Sequence, residues 1–103
     1  MYVLYVIQSK KDFTFYIGIT SDLKNRLEQH NNGKVFSTKN KIPWEMIYCE
    51  IYRSRKDAAE REQKLKNHGA AWYRLKERIK HSILLSPPLK LVGDKESKVS
   101  EGK

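Results

Sequence analysis

The sequence predicts an α+β domain whose elements run β-β-α-β-α-α. Two observations carry this: three stretches with strand patterning, and helical apolar spacings that begin at capping residues. A length of 103 residues leaves room for one compact domain, from which one core and one site are expected.

Residues Tyr2 to Ile7 are β-branched, aromatic or leucine and read as a first strand. From Phe13 to Ile19, apolar Phe13, Phe15, Ile17 and Ile19 alternate with Thr14, Tyr16 and Gly18, a period of two that predicts a second strand. The polar run Gln8 to Asp12 between them is short enough for an antiparallel hairpin. Thr20 or Ser21 is the expected cap of a first helix with Asp22 in its first turn and Leu23 and Leu27 on its apolar side. It ends near Asn32-Gly33, where glycine suits a left-handed residue. After a polar loop from Lys34 to Pro43, Trp44 to Tyr52 alternates again and gives the third strand. Ser54 with Asp57 three residues on is a capping pattern for a second helix reaching about His68-Gly69. A third helix places Trp72, Leu75, Ile79 and Ile83 on one side and Arg74, Lys76, Arg78 and Lys80 on the others. Prolines 87 and 88 end it. Residues 86–103 have the composition of a flexible polar tail, so the domain is expected over residues 1–85.

Composition narrows the classes of function. The apolar run near the start is only six residues long and lacks a preceding basic region, so it reads as a strand and not a secretion signal; no run suits a membrane helix. The expected location is the cytoplasm. Cys49 is the single cysteine, which argues against a disulfide or a thiolate metal site and suggests a small core residue. The net charge is +9, and between Arg53 and Lys80 ten Lys or Arg face four Asp or Glu. A basic surface concentrated on the later helices favours a polyanionic partner, nucleic acid first.

Three constellations could carry chemistry. Glu62 projects beside Ala58, Ala59 and Leu65, toward the side of its helix that faces the core, while Glu60 projects nearly opposite. An inward carboxylate requires an ion-pair partner, a metal or a path to water. Arg26 and His30 lie four residues apart on one helix face with Gln29 and Asn31 beside them, and can address one anion; a solvated helix face gives the same pattern. Tyr5 and Tyr16 stand on the paired strands, either as cross-strand aromatics or as proton-handling phenols.

Taken in order, Tyr5, then Tyr16-Ile17-Gly18-Ile19-Thr20, Asp22-Leu23, Arg26, His30-Asn31, Gly33, Thr38, Trp44 and Arg61-Glu62 resembles the GIY-YIG nuclease family. The small single-domain members, similar to the N-terminal catalytic domain of the excision-repair nuclease subunit, are the nearest in kind. The first motif reads Val3-Leu4-Tyr5, which keeps the tyrosine and loses the glycine, and Thr20 stands where some relatives carry lysine.

The resemblance implies a three-stranded antiparallel sheet flanked by helices and a metal-dependent endonuclease that hydrolyses phosphodiesters, DNA before RNA, in repair or another structure-directed setting. It gives Glu62 one divalent cation, Mg²⁺ or Mn²⁺, and Arg26 the scissile phosphate. Tyr5 and Tyr16 hold or deprotonate the attacking water, and His30 supplies a hydrogen bond or proton relay. Gly18 lets the backbone approach the site. Lys64, Lys66, Arg74 and Lys76 are the expected nucleic-acid contacts on the basic helices, with a protein partner for targeting left open. The rival expectation is a non-catalytic nucleic-acid-binding module that retains the fold.

Overall fold

A computed structural model of the protein describes residues 1–85; the expected tail lies outside the described residues. Strands β1 (Tyr2–Ser9), β2 (Phe15–Thr20) and β3 (Trp44–Tyr52) form one antiparallel sheet in the order β2-β1-β3. Helix α1 (Leu23–Asn31) follows β2, a short 3-10 turn (Lys39–Lys41) precedes β3, and α2 (Arg55–Lys66) and α3 (Ala70–Arg78) follow it. This is the expected α+β order.

The central position of β1 explains its composition. Paired on both edges and covered on both faces, it is buried from Leu4 to Ser9. Alternate side chains enter opposite layers. Leu4 and Val6 pack with Ile17, Leu65, Trp72, Leu75 and Ile79, beneath α2 and α3. Tyr5 and Ile7 pack with Trp44, joined by Tyr16, Leu23, Leu27, Ile42 and Cys49. The expected single core is therefore two clusters, because a sheet covered on both faces separates the side chains on either side.

The first hairpin also departs from its expected limits. Gln8 and Ser9 continue β1 instead of opening the turn, pairing with Glu45 and Trp44 of β3. Their buried polar atoms are satisfied: Gln8 Nε2 donates to Phe13 O at 3.0 Å, and its Oε1 accepts from Leu84 N at 2.7 Å. The Ser9 hydroxyl donates to Lys41 O at 2.6 Å and accepts the N–H groups of Lys11 and Asp12. Phe13, at φ 64°, belongs to the turn, so β2 begins two residues later than the alternation suggested.

Helix limits differ similarly. Asp22, not Thr20 or Ser21, caps α1 by accepting from Asn25 N at 3.1 Å, while Thr20 Oγ1 accepts from Asp22 N. Gly33 has φ 75°, the left-handed geometry expected there. Ser54 caps α2 as expected, but the helix ends at Lys66 and not at His68-Gly69, with His68 in the left-handed region at φ 54°. Helix α3 stops at Arg78. Ser82 N donates to Ile79 O at 2.7 Å, turning the chain back so that Ile83 meets the core from outside the helix.

Candidate active site

Tyr5 and Gly18 face each other across β1 and β2. A Cβ on Gly18 would stand 2.5 Å from Tyr5 Oη and 2.7 Å from Cζ, closer than carbon can approach, so the absent side chain is the space in which the phenol lies. The Tyr5 ring is then brought against α1, with its centroid 5.7 Å from that of His30 and 6.3 Å from that of Tyr16. Tyr16 completes the cluster 4.9 Å from the His30 ring.

The polar atoms form a directional chain. Arg26 Nε donates to Tyr5 Oη over a long 3.4 Å, and Tyr5 Oη lies 2.8 Å from His30 Nε2. On the other side of the ring, His30 Nδ1 lies 2.9 Å from Thr38 Oγ1, whose hydroxyl donates to Val35 O at 3.4 Å. The Thr38 contact to the Val35 carbonyl favours the tautomer in which His30 Nδ1–H donates to Thr38 and Nε2 accepts the Tyr5 proton. Burial, then the charge of Arg26, lowers the His30 pKa to about 4, so the ring is neutral at pH 7 and this tautomer is consistent.

Burial also raises the Tyr5 pKa. The Arg26 hydrogen bond opposes that shift, while the charges of Tyr16 and Glu62 reinforce it. Arg26 is oriented twice, by Tyr5 and by Gln29 Oε1, which accepts from Nη1 at 2.9 Å. The Tyr5 contact holds the Arg26 pKa above its ordinary value despite burial.

A second clamp fixes the loop that supplies Thr38. Asn31 Oδ1 accepts from Trp44 N at 2.7 Å and Asn31 Nδ2 donates to Trp44 O at 3.1 Å. The Trp44 indole in turn donates to Thr38 O at 3.0 Å. The end of α1, the loop and the start of β3 are thus tied around the His30 ring. Sequence spacing gave Thr38 no individual role, since its contact arises only when the loop closes. The three-residue separation of Arg26 and Gln29, by contrast, was readable as a helix-face pair.

Glu62 enters from α2 with its side chain 15% exposed, inward as expected, and Lys66 Nζ stands 3.2 Å from its Oε2. It makes no direct hydrogen bond to Tyr5 among the described residues, but its charge reaches the phenol. No group of three or more His, Cys, Asp or Glu could hold a metal among the described residues. A site built on Glu62 alone would offer one hard carboxylate, which suits an oxygen-seeking cation that retains most of its water and not a closed zinc site.

The four expected nucleic-acid contacts do not share one environment. Lys66 is engaged with Glu62, and Lys64 is exposed on the same helix. Lys76 Nζ lies 5.6 Å over the Trp72 ring. Arg74 lines a cavity of about 370 Å³ with Arg78, Tyr48 and the Arg61–Glu50 ion pair. Glu50 is already committed there, accepting from Tyr48, Tyr52 and Arg61. No helix among the described residues is long and apolar enough to cross a membrane.

Several known proteins are similar to this chain. A UPF0213 protein of Streptococcus pneumoniae is 36% identical over 64 residues, covering 61% of this chain and 64% of its own. A UPF0213 protein of Staphylococcus epidermidis is 33% identical over 66 residues, covering 63% and 79%. The solution structure of the UPF0213 protein BH0048 from Bacillus halodurans aligns with 79% of this chain and 84% of its own at 24% identity, with a TM-score of 0.46. The chain spans less than two thirds of the length of the S. pneumoniae relative. The GIY-YIG catalytic domain model matches residues 1–77, which takes in Tyr5, Tyr16, Arg26, His30 and Glu62 together, and the chain belongs to that family.

Proposed function

We propose that the protein is a divalent-metal-dependent endonuclease that hydrolyses phosphodiester bonds, with DNA the leading substrate. The observation that carries this reading is the chain from Arg26 through Tyr5 to neutral His30, within electrostatic reach of the Glu62 carboxylate. Arg26 offers a pre-oriented guanidinium to the scissile phosphate and to the charge that grows on it in the transition state. A water oxygen forms the new bond to phosphorus, the bond to the leaving oxygen breaks, and one water proton must be removed.

The protonated, buried Tyr5 can accept that proton only as its own passes to His30 Nε2. Tyr5 and His30 therefore act as one relay, with Tyr16 beside them to hold the water. Substrate also primes the relay: a phosphate paired with Arg26 offsets one of the two causes that depress the His30 pKa. A Mg²⁺ or Mn²⁺ ion held by Glu62 would stabilise negative charge on the leaving oxygen.

One observation favours a second reading, a nucleic-acid-binding module without turnover: Lys66 already neutralises Glu62. The two readings separate on a panel of labelled DNA and RNA single strands, duplexes, flaps and junctions, incubated with Mg²⁺, Mn²⁺ or EDTA. Metal-dependent cutting supports the nuclease. Binding across the panel with no cutting in either metal supports the module.

A further inference from the structure

A cavity of about 440 Å³ opens beside Arg26, between the start of β1, the β2–α1 junction and the start of α2; its walls include Tyr2, Asp22, Asn25, Arg26, Gln29 and Arg55. Two guanidiniums from different helices share this space with a single carboxylate. Asp22 is partly committed, its Oδ1 accepting from Asn25 N as the cap of α1. Arg26 uses Nε and Nη1 on Tyr5 and Gln29, which fixes its plane, and Tyr16 is a further hydrogen-bonding neighbour of the guanidinium. Arg55 is exposed and forms no ion pair among the described residues.

The cavity by α3 also carries excess positive charge, Arg61, Arg74 and Arg78 against Glu50, but Arg26 does not line it. There Arg61 is spent on Glu50, with Arg61 Nη2 3.0 Å from Oε2. Beside Arg26 the two guanidiniums outnumber the one carboxylate and neither is in an ion pair among the described residues, and the half-buried Tyr2 ring adds an aromatic wall against which a sugar or base can lie.

We propose that this cavity is a second phosphate subsite, in which Arg55 holds the phosphodiester next to the one addressed by Arg26. The subsite rests on the nucleic-acid reading given above and extends it, because a strand gripped at Arg26 continues into the cavity. Arg55 then contributes affinity and register, and Asp22 sets an upper limit on how tightly the neighbouring phosphate is held.

The test is equilibrium binding of a labelled DNA duplex and a labelled single strand to the full chain, in EDTA so that the strands stay intact, between 50 and 200 mM salt. Each neutralised phosphate contributes about 0.9 to the slope of log K against log salt for duplex and about 0.7 for a single strand. Arg55→Ala is expected to reduce the slope by about one such contact without altering the thermal melt. Asp22→Asn retains a capping acceptor while removing the carboxylate charge, and is expected to tighten binding. An unchanged slope in a folded Arg55→Ala protein overturns the subsite while leaving the nuclease reading standing. Failure of the natural protein to bind either strand overturns both.

Discussion

The Tyr5 hydroxyl lies 2.8 Å from His30 Nε2, and both side chains are almost wholly buried. The proximity joins a residue of the central strand to one at the end of α1, twenty-five positions away in sequence. Burial pushes the two pKa values in opposite directions, the phenol up and the imidazole down. Both groups are consequently neutral at pH 7, with one proton between them and a defined direction for its movement. Such a pair is inert until something alters the charge nearby. Arg26 is the residue through which a phosphate would do so.

Thr38 is the positioning residue for that pair. Thr38→Val retains the side-chain shape but removes the acceptor for His30 Nδ1–H, leaving a buried donor unsatisfied at a cost of about 1–3 kcal/mol. Thermal or denaturant unfolding should show this loss, and cleavage should fall beyond what the stability change explains. Thr38→Ser, which keeps the hydroxyl, should restore most of both. Equal behaviour of the valine and serine proteins would remove the Thr38 contact from the account.

Gly18→Ala should damage the site from beneath. Its Cβ would meet the Tyr5 phenol at 2.5 Å, and the ring cannot retreat without leaving His30. Overpacking of this kind costs about 1–3 kcal/mol. The expected readout is a lower melting temperature together with loss of the shielded His30 ring environment in NMR spectra. A stable alanine protein with an unchanged His30 signal would show that the space is not needed.

The neutral state of His30 has a pH signature. Its pKa is about 4 in the fold against the ordinary 6.5, so between those values the unfolded chain binds more proton than the native protein. Through this residue stability therefore falls as pH drops from about 6.5 toward 4, with no further loss well below 4. Titration of the His30 ring proton by NMR should give a midpoint near 4. A midpoint near 6.5 would contradict the burial argument.

The sequence was most informative where one local rule acted alone. Strand β3 was expected over Trp44 to Tyr52 from its alternation, and occupies those residues. The inward direction of Glu62 followed from helix geometry, and its ion pair with Lys66 had a readable signal in the four-residue spacing. Legibility failed where tertiary contacts override a local tendency. Gln8 and Ser9 read as turn because they are polar, yet pairing with β3 and satisfied side chains keep them in β1. Thr38 entered only as part of the family pattern, with no role of its own, and Arg55 was not singled out at all, since the surroundings of each depend on elements distant in sequence.

The most direct test of the account is metal-dependent cleavage by the natural protein and by Glu62→Ala, on the best substrate from the nucleic-acid panel, with binding in EDTA and thermal melting measured in parallel. The account predicts cutting in Mg²⁺ or Mn²⁺ that EDTA abolishes, a loss of about a hundredfold or more in Glu62→Ala as for removal of other transition-state charge stabilisers, and retained folding and binding. Equal cleavage by the two proteins, or cleavage indifferent to EDTA, would contradict it.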